Sequence, residues 1–113
     1  MTEEPTGDEL LAMLSALANP WRLRIMALLS RRSDYVSNLA REVGISRPLV
    51  HMHLAKLQAA GLVTGRHEVS EDGKAMRMLE VTDFALTLDP ATIAALAVSI
   101  SNPPASGRTK GDT

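Results

Sequence analysis

Arg47 and His51 stand four residues apart, a spacing that on a helix puts a guanidinium and an imidazole on one face. Arg47 presents a fork of donors suited to bidentate contact with guanine, a contact that discriminates between bases by about 1 to 3 kcal/mol. Pro48 and Met52 add apolar surface of the kind that packs on a thymine methyl, and Lys56, further along, is better placed for a phosphate. Arg66, His67, Lys74 and Arg77 lie in a later segment, where they can line a minor groove or a phosphate backbone. For Lys74 and Arg77 a merely solvated face is an equally good reading, whereas the face that carries Arg47 favours contact with bases.

Bond-making chemistry finds little here. The absence of Cys excludes disulfides, thiolate zinc sites and cysteine nucleophiles. There is no Gly-rich phosphate loop, no Ser-His-Asp order with a supporting motif and no cluster of acids with His, so an enzyme is not expected. The imidazoles His51, His53 and His67 are weak metal candidates. Helical neighbours two apart point about 200° from each other, so His51 and His53 cannot chelate one ion as an i,i+4 pair does.

The elements that must position these side chains are legible from caps and periodicity. Thr6-Gly7-Asp8-Glu9 has capping-box spacing and predicts a helix to about Ala18, with Leu10, Met13, Leu14 and Leu17 in one stripe and Leu11 widening it. Asn19 and Pro20 open a second helix that turns Ile25, Leu28 and Leu29 inward; Arg31 and Arg32 suit its negative end. Tyr35 to Val43 reads as a third, short helix with Val36, Leu39, Ala40 and Val43 inward, ended by Gly44. Ser46 then caps a fourth, with Pro48 in its first turn. Two short helices joined by so tight a turn are a helix-turn-helix signal. The fourth helix turns Val50, Leu54 and Leu57 inward and stops at Gly61. Its other face carries Arg47, Pro48, His51, Met52, Ala55, Lys56 and Ala59, and something should lie against it.

From Leu62 the texture becomes that of strands, with Asp72-Gly73 marking a hairpin that has a longer loop. Asp89-Pro90 opens a fifth helix with Ile93, Leu96, Ala97 and Ile100 at offsets 0, 3, 4 and 7. The expectation is a mainly α (α+β) fold of order helix, helix, helix, helix, strand, strand, helix. One folded unit spans residues 6–101, between a loose segment 1–5 and a disordered tail 102–113. No apolar run approaches the roughly 18 residues of a membrane span, and Met1-Thr-Glu-Glu-Pro5 is acidic where a signal peptide is basic, so a cytoplasmic protein with no membrane partner is expected.

Two segments resemble the winged-helix repressors of the ArsR/SmtB family. Ala16-Leu-Ala-Asn-Pro-Trp-Arg-Leu-Arg-Ile-Met-Ala-Leu-Leu29 looks like the family's Ala-Leu-Ala-Asp-Pro-Thr-Arg-Leu-Arg-Ile signature, with Trp21 as the odd substitution. Asn38 to Ser46, continued by His53-Leu-Ala-Lys-Leu-Gln-Ala-Ala-Gly-Leu-Val63, resembles its helix-turn-helix and the exit into the wing. The resemblance implies a homodimer built by the first and last helices, here through Leu10, Leu14, Leu17, Ile93, Leu96, Ala97 and Ile100. It also implies two recognition helices in successive major grooves of an inverted-repeat, double-stranded operator. The DNA contacts would then fall on Ser46, Arg47, Pro48, His51, Met52, Lys56, Arg66, Lys74 and Arg77. Both terminal stripes can instead pack on their own domain.

Many members of that family respond to metals, but their usual sites are missing. The third-helix Cys-Val-Cys-Asp site falls on Tyr35-Val36-Ser37-Asn38, and the last helix offers no His or Glu after Asp89. His53 sits where the family commonly has His, which favours a structural role. A site unlike the usual ones would suit nickel, zinc or cobalt better than soft metals. The competing function is a winged-helix protein-interaction module or co-regulator that needs a partner, such as a separate sensory protein, for sensing or DNA binding.

A net charge of −1 at first argues against nucleic acid. The total hides a division: residues 1–18 carry −4, residues 19–81 carry +4 and the remainder −1. A basic reading head therefore lies between acidic ends, with a margin modest enough to predict weak non-specific DNA affinity.

Overall fold

A computed structural model describes residues 5–101. The helices are α1 (Gly7–Leu17), α2 (Pro20–Arg31), α3 (Val36–Val43), α4 (Arg47–Ala59) and α5 (Pro90–Ala97). The strands are β1 (Asp34–Tyr35), β2 (Val63–Val69) and β3 (Ala75–Val81). The expected loose ends, residues 1–5 and 102–113, lie outside the described residues apart from Pro5.

The caps form as their sequences require. Thr6 and Glu9 make the reciprocal capping box of α1, and the Asn19 side chain accepts from the Trp21 and Arg22 amides at the start of α2. Asp89 Oδ1 accepts from the Thr92 amide at 2.7 Å to open α5. One element differs from expectation: Asp34–Tyr35, read as a break and a helix start, is a short third strand. The sheet has the order β1-β3-β2, all antiparallel, with Tyr35 opposite Met78 and Gly65 opposite Leu79.

The core is aliphatic. Ile25, Leu39, Val50, Leu54, Leu57, Leu62 and Leu79 are fully buried where α2, α3 and α4 meet the base of the hairpin. Each such side chain contributes about 1.5 to 3 kcal/mol by leaving water. Of the side chains expected to face inward on α2, Ile25 and Leu29 are buried and Leu28 half-buried, and Met26 joins them. α5 is the exception. No α5 residue is buried, Ile93 is half exposed, and Ile100 lies beyond the helix.

Candidate nucleic-acid interface

The turn between α3 and α4 is set by Gly44. Its φ of 85° lies in the left-handed region that side chains disfavour, and its amide returns to the Ala40 carbonyl at 2.8 Å. Two residues later the Ser46 hydroxyl accepts from the Leu49 amide, so α4 starts at Arg47 with its first turn projecting outward. Val50, His53, Leu54 and Leu57 face the core. Arg47, Pro48, His51, Met52, Ala55, Lys56 and Ala59 are all exposed, as the periodicity predicts. Leu49 is exposed beside them, which the sequence reading did not include.

The hairpin stands against this face. Its strands bring His67 and Arg77 directly opposite each other, on the same side of the ribbon as Gly65 and buried Leu79. Arg47 and His51 of α4 meet His67, Lys74 and Arg77 across a groove floored by Tyr35, Val36 and Ser37. Five basic side chains line that groove, and no Asp or Glu does among the described residues. Pro48 and Met52 continue the exposed face outside it, and Lys56 lies beside a crevice between α1 and α4 instead. His67, read from the sequence both as a wing residue and as a weak metal candidate, is part of this basic surface. The pleat of β2 puts it on the same face as Gly65, two residues away.

The other expected wing cation has partners. Arg66 lies on the opposite side of the ribbon, with Nε 3.0 Å from Glu68 Oε2 and Nη1 2.6 Å from Glu80 Oε1. Its hydrogen bond to Glu68 pushes the guanidinium further towards the charged form. Glu68 also accepts from the Tyr35 hydroxyl at 3.0 Å, and that bond raises the phenol's affinity for its proton. Arg77 Nη2 donates to Gln58 Oε1 at 3.0 Å. The exposed Lys74 makes no ion pair among the described residues.

Behind α4, the buried Arg22 donates from Nε to the Ala16 carbonyl at 2.6 Å, and its Nη1 lies 3.1 Å from His53 Nδ1. A guanidinium only donates, so Nδ1 accepts and His53 is the tautomer protonated at Nε2. Burial, then the charges of Arg22 and Lys56, lower its pKa. His51 and His67 share the groove, whereas His53 is buried against Arg22. Among the described residues no three His, Cys, Asp or Glu side chains converge on a point where a metal could sit.

Comparisons with known proteins agree with this architecture. The sequence model described as bacterial regulatory protein, arsR family, matches residues 19–64, from the cap of α2 through the helix-turn-helix into β2. An HTH-type transcriptional regulator of Methanocaldococcus jannaschii is 35% identical over 81 residues, which cover 72% of this chain and 84% of the relative. The structure of NolR from Sinorhizobium fredii superposes with a TM-score of 0.59 at 25% identity, covering 87% of this chain and 92% of that one. The homodimeric winged helix-turn-helix DNA-binding domain of a Mycobacterium bovis protein has the same fold, with a TM-score of 0.60 at 23% identity over 80% of this chain and 74% of its own. No described helix is long and apolar enough to cross a membrane. With its helix-turn-helix, its wing and a relative matched over most of its length, the chain belongs to the ArsR family of winged helix-turn-helix transcriptional regulators.

Proposed function

We propose that the chain acts in the cytoplasm as a homodimer that reads an inverted-repeat operator and represses transcription by occupying it. The observation that carries this reading is the groove of Arg47, His51, His67, Lys74 and Arg77, which no carboxylate interrupts among the described residues and which borders the exposed face of α4. Arg47 and His51 contact bases, Pro48 and Met52 supply apolar contact, and Ser46, Lys56 and Lys74 serve the backbone. The dimer rests on the unburied α5 and the exposed part of α1, in keeping with the homodimeric Mycobacterium bovis neighbour. A response to nickel or zinc has less support, because among the described residues no third ligand joins His51 and His67 in the groove.

Selection from a random DNA pool, followed by binding titrations over a range of salt, tests the reading. The wild type should enrich an inverted repeat and lose affinity with a log-log salt slope near −0.9 per phosphate neutralised. Arg47→Ala should relax preference at one position per half-site, at a cost of about 1 to 3 kcal/mol. An unchanged preference removes Arg47 from the base contacts. A chain that enriches no sequence is instead the protein-interaction module.

A further inference from the structure

The hairpin is fixed to the body of the domain at its base, where the Thr82 amide donates to the Leu62 carbonyl at 3.0 Å and its hydroxyl to the Gly61 carbonyl at 2.8 Å. Nearer the tip, a side-chain contact joins it to α4. Arg77 Nη2 donates to Gln58 Oε1 at 3.0 Å, and both side chains are half-buried. The path of that guanidinium depends on a missing side chain. A Cβ placed on Gly65 would stand 3.1 Å from Arg77 Nε and 3.2 Å from Nη2, so the arginine lies across β2 where the strand has no side chain. Gly65 has no positive φ, so backbone conformation does not account for glycine at this position.

We propose that Arg77 is a positioning residue for the DNA-contacting surface: through Gln58, in the gap left by Gly65, it sets the angle between the hairpin and α4 instead of binding a phosphate itself. A winged helix must place its helix in the major groove and its wing on neighbouring backbone at the same time, so the angle between them decides whether both contacts are made. The significance of the tie rests on the operator-binding reading; its existence does not.

Amide hydrogen exchange on the full chain without DNA tests the tie directly. In Arg77→Ala and in Gln58→Ala, hairpin amides beyond Gly65 should exchange about tenfold faster, as expected for loss of one charge-assisted hydrogen bond. The double variant should go no further than either single one. Gln58→Glu, which keeps the acceptor, should retain the protection, and Gly65→Ala should lose part of it. On operator DNA, Arg77→Ala and Gln58→Ala should weaken binding to a similar extent and leave the salt slope unchanged. The proposal is overturned if Gln58→Ala leaves hairpin exchange at the wild-type rate. It is equally overturned if Arg77→Ala reduces the magnitude of the salt slope by about 0.9 per protomer while Gln58→Ala binds normally, the mark of a lost phosphate contact. If the wild type binds no DNA, the exchange measurements still decide the tie, and the failure belongs to the operator reading. Should Arg77→Ala not fold, Gln58→Ala carries the test alone.

Discussion

Arg22 is one of the ten basic residues in the central segment, yet it contributes nothing to the DNA-facing surface, because it is buried and bonded to Ala16 and His53. Among the described residues no carboxylate is bonded to it; its donors meet a carbonyl near the end of α1 and a neutral imidazole of α4. That arrangement fixes a sign. Because the folded state lowers the His53 pKa below its usual 6.5, the unfolded chain binds the proton more tightly. The stabilisation is fully present above about pH 6.5 and is lost as pH falls from there through the lowered folded value. Urea midpoints of the wild type should therefore fall between pH 7.5 and 5.5 by more than those of His53→Gln, which offers Arg22 an uncharged acceptor. Equal pH dependence would remove His53 as the source. His53→Ala, which leaves a buried guanidinium donor unmet, should cost about 2 to 3 kcal/mol at neutral pH. The positions of Arg47 and His51 were legible from the sequence because helical periodicity assigns a face. The partners of Arg22, Arg66 and Arg77 were not, since a linear charge count records the sign of a side chain and not what lies against it.

At the scale of elements, caps and stripes placed all five helices and both hairpin strands, whereas β1, with two residues, is too short to show any period. Periodicity also showed that α5 has a face to cover without showing what covers it. In one protomer a polar clasp ties the residues just past α5 to the start of α1. The Gly7 amide donates to Ser99 Oγ at 2.6 Å, and Asp8 accepts from the Ser101 amide at 2.8 Å and from its hydroxyl at 2.5 Å. Those two bonds hold the Asp8 carboxyl below its usual pKa. Gly7 is required by close approach, because a Cβ there would collide with the Leu96 carbonyl and the Ile100 side chain. Gly7→Val should consequently separate α5 from α1 while sparing the core of α2, α3 and α4. The expected result is exchange of α5 amides at nearly the unfolded rate with little change in the main unfolding midpoint, read by hydrogen exchange and thermal melting. Unaltered α5 protection would show that the helix is held by something other than this clasp.

The whole molecule carries a net charge of −1, and the structure shows why so small a total is compatible with binding DNA. Of the six acids in residues 19–81, Glu68 and Glu80 are paired with Arg66 on the far side of the hairpin, and Asp34, Glu42, Glu71 and Asp72 are not among the residues that line the groove. The groove keeps its cations without opposing carboxylates among the described residues. The cationic and imidazole groups of one groove are few for tight binding, so on the proposed operator-binding reading affinity comes from two heads acting together. Part of the exposed apolar surface lies on α1 and on and just beyond α5, where the proposed second copy would dock. Leu11 is 54% exposed, Ile93 52% and Val98 87%, whereas Leu10, expected in the dimer contact, is already buried within its own protomer and Leu14 and Leu17 are half-buried. A helix of eight residues is marginal by itself, so α5 gains its stability from packing, and one protomer supplies little of it. Ile93→Asp should therefore sediment as a monomer at concentrations where the wild type is a dimer, with the core unfolding midpoint nearly unchanged. Loss of the second head should lower operator affinity by about a hundredfold or more and halve the salt slope, because half the phosphates are neutralised. A monomeric Ile93→Asp that kept the wild-type affinity and slope would mean that a single head does the binding, and a variant that remained dimeric would place the interface elsewhere.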